Sequence, residues 1–246
     1  MSLKFYDCGL SPVANATKIA VIVPVLNEEA HISATVQHLL PWRDQGAIII
    51  VVDGGSGDQT VRMCTNLVDL VLHTKEGRAT QMNAGAMLAI QDYDCEYLVF
   101  VHADTLVPKQ GLDEIRSALQ SRMNPFAWGR FDVRITGQSL WLTVIAWMMN
   151  VRSRISSIAT GDQTLFMTKT AYQKVGGFPD QLLMEDIQIS GNLRRSAKPC
   201  CLKQKVTTSG RRWENRGIAK TIWLMWSLRL RYWLGTPANE LAKQYR

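Results

Sequence analysis

Four groups of residues in this sequence have the types and spacing to do chemistry. The first is His102-Ala103-Asp104, which follows the apolar run Tyr97-Leu98-Val99-Phe100-Val101. A continuous β-branched and aromatic run stopped by polar residues predicts a buried parallel strand. Ligands of open α/β sheets bind just past the carboxyl ends of such strands, where the strand order reverses. Asp104 there reads as a ligand of a divalent metal holding a phosphorylated substrate, or else as the cap of a turn, since Asp-Thr suits turns. The second group is Asp53-Gly54-Gly55-Ser56-Gly57-Asp58, after the apolar residues 47–52. Its three glycines let a backbone approach a ligand closely, and Asp58 or Thr60 can cap the helix that follows. The third is Gly77-Arg78. An arginine at a helix N-terminus opposes the helix dipole and makes sense if it meets an anion; otherwise it is a surface residue. The fourth is Glu185-Asp186, after the loop Val175-Gly176-Gly177-Phe178-Pro179-Asp180. These acids either complement a helix dipole or face a pocket that the glycine loop shapes.

The elements that must hold these groups follow from hydrophobic periodicity. Residues 19–25 (IAVIVPV) predict a strand with Pro24 near its end, followed by the polar turn Leu26-Asn27-Glu28-Glu29. A helix with Ile32, Val36, Leu39 and Leu40 on one face comes next, its first turn carrying Glu28 and Glu29. Strands over 47–52 and 70–72, a helix opening at Gly77 and running through Ile90, the Tyr97 strand and a helix over 112–119 complete four β-α units. That rhythm predicts a parallel, doubly wound α/β sheet with helices on both faces. Beyond residue 120 the rhythm changes. Residues 128–135 alternate like a half-exposed strand, and 161–167 suggest a strand with a polar start. Residues 140–151 are apolar but too few to span a bilayer. Residues 183–190 open a helix that continues to Arg194 and Arg195, and an amphipathic helical tail carries Trp223, Trp226 and Trp233 beside Lys220, Arg229 and Arg231. Such a helix packs on the core or lies in a membrane interface. Without repeats or linkers, residues 1–246 read as one domain.

Charge is divided unevenly along the chain. From Arg194 onward there are 13 Lys and Arg against two acids, while the first 193 residues hold 15 basic and 19 acidic residues. The net +7 therefore comes from the tail, which suggests an anionic partner: a nucleotide diphosphate, a membrane surface or nucleic acid. Residues 1–17 lack the pattern of a signal peptide, and Cys8, Cys64, Cys95, Cys200 and Cys201 form no CxxC pair. They read as reduced thiols of a cytosolic protein.

Taken in order, the motifs resemble those of a family-2 glycosyltransferase of the GT-A fold over residues 19–195. The matching pieces are Pro24-Val25-Leu26-Asn27-Glu28, Val51-Val52-Asp53-Gly54-Gly55-Ser56-Gly57-Asp58, Gly77-Arg78 with Asn83-Ala84-Gly85, His102-Ala103-Asp104, Gly176-Gly177-Phe178 and Glu185-Asp186. Gly161-Asp162-Gln163, Arg211-Arg212-Trp213 and the tail are similar to a small bacterial subgroup of such transferases. The resemblance implies an inverting enzyme that moves a sugar from a nucleotide-diphosphate sugar to an acceptor hydroxyl, lipid or hydrophobic, with Mn²⁺ or Mg²⁺ as cofactor. It implies that Pro24, Leu26, Asn27, Glu28, Asp53, Gly54, Arg78, Asn83, His102, Ala103, Asp104, Arg211, Arg212 and Trp213 bind the nucleotide sugar. Asp104, with His102 as a second candidate, would hold the metal, and Asp186 of the Glu185-Asp186 pair would be the general base. It also divides the chain into a nucleotide-binding half (19–120), an acceptor and catalytic half (121–215) and a helical tail (216–246). A cytoplasmic protein, peripheral on the inner membrane face through that tail and with no nucleic-acid partner, is expected. Two departures stand out: Gly54 replaces the second of two consecutive Asp, and His102 replaces the first Asp of Asp-x-Asp.

Two other readings compete. The glycine turn with Glu76 further on resembles the cofactor turn of an S-adenosylmethionine-dependent methyltransferase, although a complete strand–helix unit precedes it. A protein that binds nucleotide sugars without catalysis would account for the altered metal motif.

Overall fold

The computed structural model describes residues 18–121 and 124–245, apart from the side chains of Arg212 and Asn215. The elements, in chain order, are β1 (Ile19–Val25), α1 (Ile32–Asp44), β2 (Ala47–Asp53), α2 (Thr60–Cys64), β3 (Leu70–His73), α3 (Arg78–Gln91), β4 (Tyr97–Phe100), β5 (Thr105–Leu106) and α4 (Gly111–Gln120). After them come β6 (Trp128–Thr136), α5 (Trp141–Ser156), a 3₁₀ turn (Gly161–Gln163), β7 (Leu165–Thr168), α6 (Lys169–Val175) and α7 (Glu185–Leu193). The chain then continues through β8 (Cys200–Ser209), α8 (Arg211–Arg216), α9 (Ile218–Trp233) and α10 (Ala238–Tyr245).

One eight-stranded sheet has the order β3-β2-β1-β4-β7-β6-β8-β5. The pairs β1/β2, β2/β3, β1/β4 and β6/β8 are parallel, whereas β7 runs antiparallel to both β4 and β6. Because side chains alternate across a sheet, each fully buried strand feeds two cores. Ile19, Val21, Val23 and Val25 join Ile49, Val51 and Val99 beneath α1, α4 and α5. Their neighbours Ala20 and Ile22 join Ile50, Val52, Leu98 and Phe100 beneath α3, α6 and α7. The strand order reverses between β1 and β4, which is where this architecture opens a crevice.

Several local expectations are corrected. Glu28 and Glu29 precede α1 rather than occupying its first turn; the Glu28 carbonyl accepts the N–H groups of His31 and Ile32, both at 2.9 Å. The strand over 128–135 is not half-exposed, since Arg130 and Asp132 are both buried. They pair with each other, and Arg154 donates two bonds to the same carboxylate at 2.7 and 2.9 Å, which lets charged residues occupy an inner strand. Residues 161–167 divide into the 3₁₀ turn and β7, β8 and α6 are additional elements, and the described tail holds two helices, α9 and α10, preceded by the short α8. Cys64, Cys95, Cys200 and Cys201 are free thiols, and Cys8 lies outside the described residues. No described helix is long and apolar enough to cross a membrane.

Gly85 sets the distance between α3 and the sheet. A Cβ there would stand 2.6 Å from Ile22 Cγ2 and 2.9 Å from Val52 Cγ2. Crowding two β-branched core side chains costs about 1–3 kcal/mol, more than the roughly 1 kcal/mol of helix propensity that alanine adds. Gly85→Ala is expected to lower the thermal midpoint by about 2–6 °C in calorimetry; an unchanged or higher midpoint would contradict this packing.

Candidate functional site

A cavity of about 540 Å³ opens past the carboxyl ends of β1 and β4, within the range of small-ligand sites. Pro24, Leu26 and Glu28 line it after β1, and His102, Ala103 and Asp104 after β4. Arg78 enters from the start of α3, Glu185 and Asp186 from the start of α7, and Arg211 and Trp213 from α8. Eleven of the residues singled out from the sequence are thus brought to one cavity.

The others lie elsewhere. Asp53 is 2% exposed and spends its carboxylate on its own turn, accepting the N–H groups of Gly55 at 3.1 Å and Ser56 at 3.0 Å. His73 Nδ1 stands 3.2 Å from the same group. Gly54 packs on the Gln81 amide, which donates to the carbonyls of Val25 and Val52 at 2.7 Å each, so a side chain at 54 would displace it. Asn27, at φ +54°, receives the N–H of Gly57 on its amide oxygen and donates its own N–H to Ser56 Oγ, stitching the two turns together. Asn83 accepts from Tyr172 Oη and the Phe178 N–H and donates to the Phe178 carbonyl, fixing the glycine loop on α3. Gly177, at φ +74°, passes under that network; a Cβ would stand 2.7 Å from Tyr172 Oη. The side chain of Arg212 falls outside the described part.

The 3₁₀ turn joins the acidic motifs. Because β7 runs antiparallel to β4, Leu165 pairs with Phe100, and the residues preceding β7 come to lie beside those following β4. Gly161 donates its N–H to Asp186 Oδ2 at 2.8 Å, and a Cβ on it would stand 2.2 Å from His102 Nε2. Asp162, which also lines the cavity, stands 3.4 Å from His102 Nδ1. Asp186 takes a second N–H, from Ile187 at 2.7 Å, so its carboxylate is held from both sides. Met184, just before these acids, adopts the left-handed conformation at φ +66°, unusual for a bulky residue and a mark of local strain at a site.

Charge divides the cavity. Glu185 is 3% exposed and pairs with Arg78, Oε1 to Nη1, at 3.3 Å, so the anion that Arg78 meets is a protein carboxylate. Burial, and then the charge of Asp186, raises the Glu185 carboxyl above the usual glutamate range despite Arg78. Glu28 is raised too, by burial and by the charge of Asp104, while Arg211 Nη2, at 3.7 Å from its Oε2, opposes this. Glu28 Oε2 is buried without a hydrogen-bond partner. Two acids sharing a corner, one with an oxygen that accepts no hydrogen bond, fit a divalent cation. Among the described residues no three His, Cys, Asp or Glu side chains are grouped to hold a metal by themselves. A cation here would take one or two carboxylates from the protein and the rest from a diphosphate and water, a mode that suits Mg²⁺.

Asp162, Thr221, Met225 and Arg229 also line the cavity; Asp162 belongs to the Gly161-Asp162-Gln163 motif, yet the sequence assigns none of the four a role in the site. Only the antiparallel return of β7 brings Asp162 to the site. Thr221, Met225 and Arg229 recur every fourth residue along α9, a spacing visible in the sequence, although nothing there says which face turns inward.

Comparison with known proteins follows the same lines. The sequence model of the family described as "Glycosyl transferase family 2" matches residues 20–174. Glycosyltransferase GlyG of Streptococcus pneumoniae is 29% identical over 111 residues, which cover 42% of this chain and 36% of that relative. The crystal structure of S. aureus TarS 1-349 in complex with UDP-GlcNAc superposes with a TM-score of 0.57 at 17% identity, covering 78% of this chain and 58% of that one. The mannosyltransferase PcManGT from Pyrobaculum calidifontis, in complex with GDP-Man and Mn²⁺, gives 0.57 at 18% identity, covering 80% and 59%. At such identities the structures establish a shared GT-A fold.

The buried Glu185 has a testable consequence. A carboxyl raised in the fold contributes stability that is complete below about pH 4.5, its value in the unfolded chain, and is lost as pH rises through its folded value. Glu185→Gln, which keeps the shape and cannot ionise, removes that term. The midpoint of the native protein minus that of the variant is therefore expected to fall as pH rises from 4.5 toward neutrality; a difference that grows with pH would contradict the assignment.

Proposed function

The chain belongs to glycosyl transferase family 2, and on that premise we propose that it moves a sugar, with inversion, from a nucleotide-diphosphate sugar to a hydroxyl of a lipid or hydrophobic acceptor. The observation that carries this reading is that Asp104 and Asp186 line one cavity at the reversal of strand order. Asp104 shares its corner with Glu28 and Arg211, whereas Asp186 sits with Gly161 and the charges of Arg152 and Arg229. One corner is thus the donor diphosphate's and the other the acceptor's.

The turn after β1 would hold base and ribose, with Asp53 shaping its rim. Arg211 would bind the diphosphate through its guanidinium fork, and Trp213 would close over it. Asp104, with Glu28 and His102 beside it, would hold Mg²⁺ or Mn²⁺, which when bound neutralises the leaving diphosphate. Asp186 would take the proton of the acceptor hydroxyl while that oxygen attacks the anomeric carbon from the face opposite the diphosphate, giving inversion. Its two backbone hydrogen bonds fix its direction, and Glu185 holds Arg78 in place. The structural relatives are complexes with UDP-GlcNAc and with GDP-Man, which makes uridine and guanosine diphosphate sugars the donors to try first.

The tail adds a location. On α9, Trp223, Trp226 and Trp233 are 74%, 61% and 82% exposed, while Leu224, Met225 and Leu228 pack against Leu183 and Met184. Trp141, Trp147 and Ile155 of α5 are exposed as well. Exposed tryptophans on helices of a strongly basic segment suit the headgroup layer of an anionic membrane. The acceptor would then be met at that surface.

Two experiments test these statements. Asp186→Asn is expected to slow transfer or donor hydrolysis by about 10²–10⁴-fold with nucleotide affinity retained, whereas Asp104→Ala should lose the Mn²⁺-dependent gain in nucleotide affinity. Full activity in the first variant, or an intact Mn²⁺ effect in the second, would refute the assignment. Changing Trp223, Trp226 and Trp233 together to Ser should cut co-sedimentation with phosphatidylglycerol vesicles about tenfold at low salt; equal binding, or none by the native protein, removes the membrane reading.

A further inference from the structure

Two arginines on the acceptor side form no close ion pair with any described residue. Arg229 lines the cavity on the inner face of α9, with Met225 one turn and Thr221 two turns before it. It makes no ion pair or hydrogen bond with any described residue; only the more distant charges of Asp186 and Asp162 act on it. Arg152 of α5, near enough to feel the Arg229 charge, has Nε and Nη2 buried and without hydrogen-bond partners. Burial, and then the nearby Arg229 charge, lowers the Arg152 guanidinium to about 10. Two like charges left together in a desolvated corner are unfavourable unless an anion joins them. The protein's own acids do not serve: Asp186 has its oxygens on the N–H groups of Gly161 and Ile187, and Asp162 faces His102.

We propose that Arg229, backed by Arg152, binds the phosphate of a phosphorylated acceptor and so presents the acceptor's nucleophilic oxygen to Asp186. A guanidinium fork matches two phosphate oxygens, and a dianionic phosphate answers both positive charges where a carboxylate would leave one unanswered. The site is separate from the donor corner, where Arg211 pairs with Glu28. The α9 helix that supplies Arg229 also carries the exposed tryptophans, so a phosphate on a lipid would reach the site from the membrane side; a soluble phosphate ester would reach it through the open cavity. This assignment rests on the glycosyltransferase reading for the role of Asp186, and only for that.

The test is calorimetric titration of the protein already saturated with a nucleoside diphosphate and Mn²⁺, so that the donor corner is filled. Inorganic phosphate, glycerol phosphate and a detergent-dispersed short-chain prenyl phosphate are the probes. The native protein is expected to bind at least one of them, Arg229→Gln to bind it about tenfold more weakly or worse, and Arg229→Lys to recover part of the loss, with nucleotide affinity unchanged. Arg152→Gln should weaken the same binding and supplies the reading if Arg229→Gln fails to fold. Tighter binding of the prenyl phosphate assigns the source to a lipid headgroup; equal binding of glycerol phosphate assigns it to a soluble ester. No phosphate binding by the loaded native protein, or equal binding by both glutamine variants, overturns the site. Phosphate binding that survives while no nucleotide binds would instead refute the transferase reading and leave the anion site standing.

Discussion

The site depends on one close approach, that of the Gly161 backbone to the His102 ring and the Asp186 carboxylate. Any side chain there would have to push the imidazole aside, because a Cβ would stand 2.2 Å from it, and the Gly161 N–H fixes Asp186 at 2.8 Å. Through that contact the end of β4, the start of β7 and the start of α7 become one unit. The antiparallel return of β7 makes it possible, since it carries the chain back to the strand end where a crevice already exists. The ordinary work of the sheet, two cores fed by alternate side chains of buried strands, makes this contact rigid.

Around it the charges are sorted rather than pooled. Glu185 and Arg78 pair with each other in the cavity wall, Glu28 and Asp104 crowd one corner with Arg211 nearby, and Arg152 and Arg229 crowd another beside Asp186. Each crowded corner holds like charges in a partly dry place, a costly arrangement that a bound cation or anion relieves. An enzyme that joins two anionic substrates would have this division, with metal on one side of the reacting carbon and arginines on the other.

Much of this was legible in the sequence. The strands β1 to β4 announce themselves because burial on both faces demands unbroken apolar runs, and the groups at their carboxyl ends are polar by contrast. Eleven of the singled-out residues reach one cavity. What escaped did so for physical reasons. The β8 strand, CCLKQKVTTS, has Lys203, Gln204 and Lys205 at its centre and no long apolar run, so nothing in the sequence marks it as a strand until β6 pairs with it. Arg130 and Asp132 looked solvent-facing because a buried pair and an exposed pair are the same letters, and their partner Arg154 lies on another element. Asp53 looked ready for a ligand, yet the glycines after it turn the backbone N–H groups back onto its carboxylate. Asp162 and Arg229 belong to the site only through tertiary contacts.

The central claim is that the Asp104 corner receives the donor diphosphate while Asp186 faces the sugar from the other side. A crystal structure with Mn²⁺ and an intact nucleotide-diphosphate sugar, tried with both UDP and GDP as carrier, tests it most directly. The account predicts the diphosphate beside Asp104 and Arg211, with Asp186 facing the anomeric carbon opposite the leaving oxygen. A diphosphate held by Arg229 and Arg152, or Asp186 on the same side as the leaving group, would contradict it.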